Sequence, residues 1–517
     1  MPLNRKEKLK NLYIGVGLLA VFFLILFAYR VNPAFLDEQD NPIGGKIVAN
    51  GGHIYIDFIS QHMPGMYYIC MLFAQMGIST LVGYRVSFYF LIAVIWVFMY
   101  FRYQENFGKV AMIAYPVMYG CMLVELTYST TVVAEHIQAQ LLVVLFLEFL
   151  LYIRSGSLKW HNMLIISICI FGSIMMAFVS AWAIIAIVLG VFLYDFYQCL
   201  IKKRFLAKEK QKQYIQLIIF VAVPFILLLI YLLIFGNLKN MYYQAFQFNR
   251  EVYPKYIQSQ YGGSIIDTLT YPFFNYAKVI MNSVKDFGSN IAHNLRLISN
   301  CFINIAFVWI IAKKNKWASM VSMAFVILCG SRAFDDFHSL PYWAVTVMML
   351  CLLVQWEKLW NKLLAVFGII TIFVFPYIGT LLDLKAIPDN SVVAEDEIAY
   401  YAKMFTSESD TIYVTNLAAD EYIKSERMPA ARLIHIHPWF MEIYQQDVID
   451  DLEKTQPKVI FHDEETEIWS NKMSDYAQEL CEYIKEQYIR MPEIENVNVW
   501  VRKDIYPEVS AIYKEKK

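Results

Sequence analysis

Long apolar stretches separated by short polar segments dominate the chain before residue 383. Runs such as 12–29, 138–153, 163–178, 181–194 and 215–235 carry few charges, and several approach the ~20 residues that a helix needs to cross a bilayer. The pattern predicts about eleven membrane-spanning helices. They are placed at about 12–29, 80–101, 109–128, 131–153, 162–178, 180–200, 214–236, 297–312, 317–331, 340–355 and 362–382.

The charges between these stretches predict the orientation of the chain. The polar segment 201–213 carries six basic residues against one acid, Glu209, so the positive-inside rule places it in the cytoplasm. The basic residues of segment 1–10 likewise place the N-terminus inside, as in a signal anchor. This threading requires that segment 64–76, which is too short to span, lies along the outer surface as an interfacial helix.

The composition becomes charged and polar after about residue 383. Short strand patterns at 411–415, 457–462 and 497–502 alternate with helical patterns at 393–405, 442–454 and 474–487, which predicts a small α/β domain. We therefore expect a transmembrane domain over 1–382, with outer loops 30–79 and 237–296. An extracytoplasmic α/β domain would follow over 383–517.

Composition excludes several other classes of protein. The chain has 517 residues, of which 58% are hydrophobic and 17% charged, and a mean hydropathy of +0.42, values typical of a membrane protein. Its net charge of -1 comes with no basic surface for nucleic acid. No CxxC motif occurs among the eight cysteines, so neither a disulfide framework nor a cysteine zinc site is indicated.

Ionisable residues cluster at the predicted outer face of the membrane. Asp37 and Glu38 follow the first span, whereas Glu135 and His136 begin the fourth. The same face is also predicted to contain Arg85, Arg332, Asp335, Asp336 and His338. Ionisable groups in a bilayer cost roughly 2.5–3.5 kcal/mol each on insertion scales, so they usually line a cavity or pair with one another.

Each of these residues also has a structural interpretation. Asp37 and Glu38 could be solvated loop acids, Glu135 could pair with an arginine, and Arg332 and His338 could be interfacial anchors. His435 and His437 alternate as neighbours on one face of a strand would, and they could form a metal pair, although the sequence shows no third ligand.

The chemistry available at an outer membrane face favours a lipid-linked substrate. Glycosyl transfer from a lipid phosphate needs a carboxylate to take the proton of the acceptor, a role that Asp37 could fill. It also needs cations to bind the departing phosphate, and the candidates are His62, Arg85, Arg332 and His338. The interfacial helix and the tyrosine-rich outer segment 236–296 would suit an isoprenoid chain.

At these residues the sequence resembles the GT-C superfamily of integral-membrane glycosyltransferases, and especially its bacterial aminoarabinose transferases and the protein O-mannosyltransferases. The resemblance covers most of the chain in order. It is carried by the pair Asp37-Glu38, the run 52–57 with His62, Pro64, Tyr67 and Tyr68, the Gly83–Arg85 segment, and Ser331 to Phe334 with His338 and Pro341. The family often has lysine where this chain has His62, and a proline where it has Met63.

The resemblance implies a polyprenyl-phosphate sugar as donor, and it maps the family's catalytic acid onto Asp37 and a second family acid onto Glu135. Our hypothesis makes Asp37 the general base, with Glu38 and Glu135 orienting the acceptor. His62, Arg85, Arg332 and His338 would bind the donor phosphate, and Tyr55, Asp57, Tyr67 and His136 would line the substrate groove. No cofactor is required, although some members use a divalent metal, which Asp37, Glu135 and Asp335 could hold here.

We therefore expect a bacterial, multi-pass glycosyltransferase in the cytoplasmic membrane, with the N-terminus inside and the C-terminal domain outside. It would transfer a sugar from a polyprenyl phosphate to a cell-surface polysaccharide, lipid or protein. The alternative is a transporter or lipid flippase for cell-envelope precursors, which would place its ionisable groups at the midplane. A sensor is a weaker rival, because the predicted inside loops are too short for an output domain.

Overall fold

The computed structural model describes residues 35–123, 126, 130–201, 207–256, 265–288, 291–330, 337–353, 359–371, 396–415 and 419–516, with scattered residues between 9 and 30. The chain forms two compact units whose segments alternate along the sequence. The first unit takes residues 1–30, 86–231 and 263–387, and the second takes 31–85, 232–262 and 388–517. The predicted outer loops at 30–79 and 237–296 thus contribute to both units.

Among the described residues of the first unit, the regular elements are helices. Its helices are Lys109–Met122, Ala134–Ser155, Trp160–Met176, Ala181–Ile201, Ile265–Lys285, Ile291–Ala312, Lys316–Cys329, Leu340–Leu353 and Leu359–Ile369. Two more helices, Leu81–Phe107 and Lys208–Ile234, are divided between the two units. Local sequence explains several ends: Gly156 closes one helix in the left-handed conformation, at φ 67°, and the Asn315 side chain caps another.

Several of these helices are long and apolar enough to cross a membrane. Among the described residues five meet this criterion: Leu81–Phe107, Ala134–Ser155, Phe178–Ile201, Lys208–Ile234 and His293–Ala312. Three shorter apolar helices are Trp160–Met176, Lys316–Cys329 and Phe337–Leu353. The protein is therefore a multi-pass membrane protein, as predicted. The count of eleven spans stays a prediction, because the predicted spans 12–29 and 362–382 lie largely outside the described residues.

The core of the first unit forms around two helices that bury almost all their side chains. Ala134–Ser155 packs against Leu340–Leu353, in which every residue is buried. The buried carboxylate of Glu148 accepts hydrogen bonds from three side chains, those of Arg102, Tyr103 and Asn162. A charge in this apolar core is therefore neutralised and fully hydrogen-bonded, as a membrane-embedded acid requires.

The second unit begins with two helices that pack closely together. The first-loop helix, Leu36–Ala49, lies against the interfacial helix, Gly65–Gln75. A Cβ atom at Gly45 would lie 2.5 Å from the Cβ of Cys70, so only glycine permits this approach. The acids expected in a loop thus lie in the first turn of a helix. The 11 residues of the interfacial helix are too few to span a bilayer, as the sequence predicted.

The C-terminal segment of the second unit is a small α/β domain. Its strands are β1 (Thr411–Val414), β2 (Met428–Pro429), β3 (Val459–Phe461), β4 (Glu467–Ile468), β5 (Asn471–Lys472), β6 (Tyr488–Arg490) and β7 (Val499–Arg502). A mixed sheet has the order β2-β1-β3-β7-β6, with β1 parallel to β2 and β3, and β7 antiparallel to β3 and β6. Strands β4 and β5 form a separate hairpin.

Helices accompany this sheet close to their predicted positions. They are Glu397–Phe405, Glu421–Lys424, Pro438–Thr455, Met473–Tyr476, Gln478–Gln487 and Tyr506–Lys516. The prediction of strands at 411–415, 457–462 and 497–502 is confirmed by β1, β3 and β7. The expected strand around His435 and His437 is wrong, since these residues belong to no strand and lead directly into the helix that begins at Pro438.

The core of this domain includes residues from the earlier segments of the chain. Ile59 and Phe248 belong to the same buried cluster as Phe440, and the Phe248 and Phe440 rings stack with their centroids 5.1 Å apart. Four short helical segments supply the residues around Phe248: Leu238–Tyr242, Tyr243–Gln247, Phe248–Glu251 and Tyr253–Tyr256. The backbone N–H of Ile59 donates to the Arg432 carbonyl at 2.9 Å. The three segments of the second unit therefore share one core.

Candidate active site

The first turn of the first-loop helix presents its acids in different directions. Phe35, extended at φ −122° and ψ 147°, precedes the helix, and Asp37 and Glu38 follow in its first turn. Acids there are stabilised by the unpaired N–H groups and the positive end of the helix dipole. Asp37 and Asp40 are three residues apart and share one face, whereas Glu38 lies about 100° around the axis. The helix thus directs the side chain of Glu38 away from those of Asp37 and Asp40.

Glu38 forms a buried ion pair with Arg85. Both side chains have zero solvent exposure. The Arg85 Nε donates to Glu38 Oε1 at 2.7 Å, and its Nη2 donates to Oε2 at 2.5 Å, so the planar guanidinium and the carboxylate meet in a two-point contact. The sequence predicted that Glu38 would orient the acceptor and that Arg85 would bind phosphate. In this structure the two charges satisfy each other instead and fix the start of the helix.

Asp37 is only half-buried, in contrast to Glu38 and Asp40. Its backbone carbonyl accepts a hydrogen bond from the Asn41 side chain at 3.1 Å. The side chain of Tyr67 lies close enough for the charges of both aspartates to act on it. Burial, followed by the charge of Asp40 and more weakly that of Asp37, raises the pKa of Tyr67 well above its ordinary value. Asp37 is therefore an accessible acid beside a buried neutral phenol.

Asp40 joins two histidines that are distant in sequence. Its Oδ2 lies 3.5 Å from the Nδ1 of His62, and its Oδ1 pairs with the Nε2 of His435. Burial alone would raise the pKa of Asp40, but the charge and hydrogen bond of His435, and those of His62, hold the pKa below its usual range. The Asp40 side chain is 8% exposed and that of His62 is 39% exposed, so His62 is the member that substrate can reach.

This cluster could not be predicted from the sequence, for two reasons. Acids at positions 37 and 40 share a face only in a helix, and no helix was predicted there. The second histidine, His435, lies in the C-terminal segment, where alternation with His437 was visible but no acid was nearby in sequence. His437 itself stacks on Trp439, with ring centroids 4.3 Å apart, and burial, then the charge of His435, lowers its pKa to about 3.

The predicted groove residues Tyr55, Asp57 and Tyr67 shape the loop between the two helices. The Tyr55 hydroxyl donates to the His62 carbonyl at 2.7 Å, and the Tyr67 hydroxyl lies 2.6 Å from Ser60 Oγ. Both rings are almost fully buried, so they support the loop and do not line an open groove. Asp57 is exposed and accepts the backbone N–H of His53 at 2.8 Å.

The C-terminal segment holds the same helix through Gln39. The Gln39 side chain donates to Asp420 at 3.1 Å and accepts the backbone N–H of Ala419 at 2.9 Å. Together with the Asp40–His435 pair, these contacts attach two successive residues near the start of the helix to the C-terminal domain. The sequence signalled none of them, because the partners lie about 380 residues apart.

The first unit brings together two of the other predicted residues. Glu135 lies in the first turn of Ala134–Ser155. Its Oε1 lies 2.9 Å from the Nδ1 of His338, within hydrogen-bond distance. Their side chains are 12% and 23% exposed, so the pair is accessible from outside the core. His136 is fully buried against the rings of Phe88 and Tyr119, and this burial removes it from any open groove.

Arg332 and Asp335, predicted for phosphate and metal binding, lie outside the described residues. Within the described ranges, three side chains of metal-binding type approach one another in one place, formed by His462, Glu464 and Cys481 of the C-terminal domain.

No protein-family model matches the chain, and no curated protein matches it. The chain is similar to the archaeal oligosaccharyltransferase AglB from Archaeoglobus fulgidus in complex with an inhibitory peptide and a dolichol-phosphate. The TM-score is 0.47 and the identity 11%, over 96% of this chain and 75% of that chain. A crystal structure of the Archaeoglobus fulgidus oligosaccharyltransferase with Zn and sulfate gives a TM-score of 0.42 and an identity of 12%, over 94% and 73% of the two chains.

Proposed function

We propose that the protein is a membrane glycosyltransferase of the GT-C type. It moves a sugar from a polyprenyl-phosphate donor to a cell-surface polysaccharide, lipid or protein at the outer face of a bacterial cytoplasmic membrane. The observation that carries the proposal is the first turn of the first-loop helix, where the buried Glu38–Arg85 pair fixes the backbone beside the half-exposed carboxylate of Asp37. An accessible acid on a rigid support is what a general base requires.

In the proposed reaction Asp37 takes the proton of the acceptor hydroxyl or amide. As that proton leaves, the acceptor atom forms a bond to the anomeric carbon, and the bond from this carbon to the phosphate oxygen breaks. The electron pair of the broken bond leaves with the polyprenyl phosphate, so a single displacement inverts the anomeric carbon. Asp37 gains one proton, which it returns to solvent before the next cycle.

His62 is the proposed contact for the donor phosphate in the second unit. Its ring is partly exposed, and the buried Asp40 carboxylate orients it. A histidine held by a carboxylate can donate a charge-assisted hydrogen bond to a phosphate oxygen. Arg85 acts as a positioning residue, because its guanidinium is occupied by Glu38. The predicted roles of Arg332 and His338 in phosphate binding, and of Glu135 toward the acceptor, remain part of the proposal.

The test uses the full-length protein reconstituted in vesicles with a panel of polyprenyl-phosphate sugars. The acceptor class comes from mass spectrometry of the surface glycans of a deletion strain. Wild-type protein should release polyprenyl phosphate in step with formation of a glycosidic bond. Asp37→Asn should abolish release, whereas Asp450→Asn, which alters an exposed acid on the helix Pro438–Thr455, should not.

Two outcomes would contradict the proposal. The first is full transfer by Asp37→Asn. The second is movement of the lipid-linked sugar across the vesicle membrane with no phosphate released and no bond formed, which would identify a flippase or transporter.

A further inference from the structure

A group of side chains suited to a soft metal ion lies in the C-terminal domain, away from the first-loop helix in sequence and in chemistry. His462 directly follows β3, Glu464 lies in the next turn, and Cys481 lies on the helix Gln478–Gln487. One donor atom from each lies within 4.8 Å of those of the other two. His462 and Glu464 are close in sequence, whereas Cys481 lies on a separate helix that the fold brings to them.

His462 is prepared as a metal ligand by its other contacts. The side chain is 2% exposed, and its Nδ1 lies 2.9 Å from the Thr415 hydroxyl oxygen. Its Nε2 is buried and has no hydrogen-bond partner in the described part of the chain. A metal-binding histidine characteristically uses one ring nitrogen for an orienting hydrogen bond and the other for the ion.

Cys481 and Glu464 supply the remaining donors. The Cys481 side chain is 3% exposed and belongs to no disulfide. Burial, followed by the charge of Glu464, raises the pKa of the Cys481 thiol to about 11. The Glu464 carboxylate is 35% exposed and pairs with Lys485, which lies one turn after Cys481 and is 49% exposed. Both ends of that pair can therefore move without disturbing the core.

We propose that His462, Glu464 and Cys481 bind one zinc ion, with water as the fourth ligand. A mixed nitrogen, sulfur and oxygen set is typical of zinc, which binds these atoms at about 2.0–2.3 Å. Tetrahedral angles then place neighbouring donors roughly 3.3–3.8 Å apart. The donor atoms lie within 4.8 Å of one another, so a shift of about 1 Å is enough to bring them to these distances. A hard cation such as Ca²⁺ or Mg²⁺ would instead need more oxygen ligands.

Binding changes the protonation of the site in a defined way. The Cys481 thiol forms a sulfur–zinc bond and releases its proton to solvent, while His462 binds through Nε2 without losing one. Glu464 exchanges Lys485 for the ion, and the ammonium turns to solvent. The metal would then connect the end of β3 to the helix Gln478–Gln487. This site does not depend on the proposed glycosyl transfer.

The test measures metal binding by the full-length protein in detergent after removal of bound metal with a chelator. The protein should bind one zinc ion per chain, with an affinity high enough to take zinc from a chromophoric chelator. Cobalt bound in its place should show the thiolate-to-cobalt charge-transfer absorption. Cys481→Ala and His462→Gln should each remove this site, and Thr415→Val, which deletes only the orienting hydroxyl, should weaken it by about 10–100-fold.

The matched control is Cys121→Ala, which removes a half-buried thiol of the first unit. It should leave both the zinc site and the cobalt spectrum unchanged. Lack of the thiolate absorption in the wild-type protein, or its survival in Cys481→Ala, would overturn the proposal. Because Thr415→Val keeps the shape and all three ligands, unchanged zinc affinity in that variant would also count against it.

Discussion

The buried pair of Glu38 and Arg85 provides the sharpest test of how the candidate site is supported. Both side chains have zero exposure, and two hydrogen bonds of 2.7 and 2.5 Å join them. Removing one partner leaves an uncompensated charge in the protein interior, which costs about 3–5 kcal/mol. Glu38→Gln and Arg85→Met should each destabilise the second unit by this amount. The double variant removes both charges and should be no less stable than either single variant.

The assay is thermal unfolding in detergent at a fixed scan rate. A cost of 3–5 kcal/mol corresponds to a fall of roughly 6–20 °C in the midpoint for a unit of this size. A coupling energy of about 3 kcal/mol should therefore appear in the double-mutant cycle. Arg85→Lys keeps the charge but loses the planar two-point contact, so it should fall between wild type and Arg85→Met.

The same cycle separates the two roles considered for Arg85. If the residue only positions the helix, the double variant should recover much of the transfer rate lost by the single variants, with an unchanged KM for the donor. If Arg85 instead contacts the donor phosphate, the double variant should stay inactive and its donor KM should rise. Additive destabilisation by the two single changes would refute the description of the pair itself.

Three other predictions follow from particular contacts. Gly45→Ala should separate the first-loop helix from the interfacial helix and lower the thermal midpoint, because its Cβ would lie 2.5 Å from that of Cys70; an unchanged midpoint would contradict the packing. His437 has a pKa lowered to about 3, so the unfolded chain binds its proton below pH 6.5 and the folded chain does not. Stability should therefore fall by about 2 kcal/mol from pH 8 to pH 5, and His437→Gln should remove that part of the loss in pH-dependent melting curves. Finally, Glu135→Gln and His338→Gln break the same 2.9 Å contact, so combining them should slow transfer no more than one of them alone; multiplied effects on kcat would show that the residues act independently.

Local sequence was sufficient for much of the architecture. Helices occupy the predicted spans between 80 and 355, and β1, β3 and β7 match the predicted strands, because hydrophobic periodicity reports directly on which faces are buried. The short helix after Pro64 was also correctly predicted, since its length alone prevents it from spanning. By contrast, the first-loop helix was predicted as a loop, because Asp, Asn, Pro and paired glycines in its sequence are poor helix formers.

The candidate site could be predicted only where the chemistry is local. The sequence placed Asp37, Glu38 and His62 in one outer segment, and it placed Glu135 and His338 at the same membrane level. The sequence could not show that Glu38 forms an ion pair with Arg85. A carboxylate near a cation can either bind substrate or neutralise the charge of its neighbour. Burial decides between the two, and burial depends on which segments pack together.

By itself, the sequence determined that this is a multi-pass membrane protein with a polar C-terminal α/β domain and an acidic segment after its first apolar stretch. These properties follow from composition and periodicity, which act over a few neighbouring residues. Only the tertiary structure decided that Asp40 meets His435, that Gln39 is held by Asp420, and that His462, Glu464 and Cys481 come together. The physical reason is that such contacts join residues brought together by a shared core, and the spacing of residues along the chain carries no information about them.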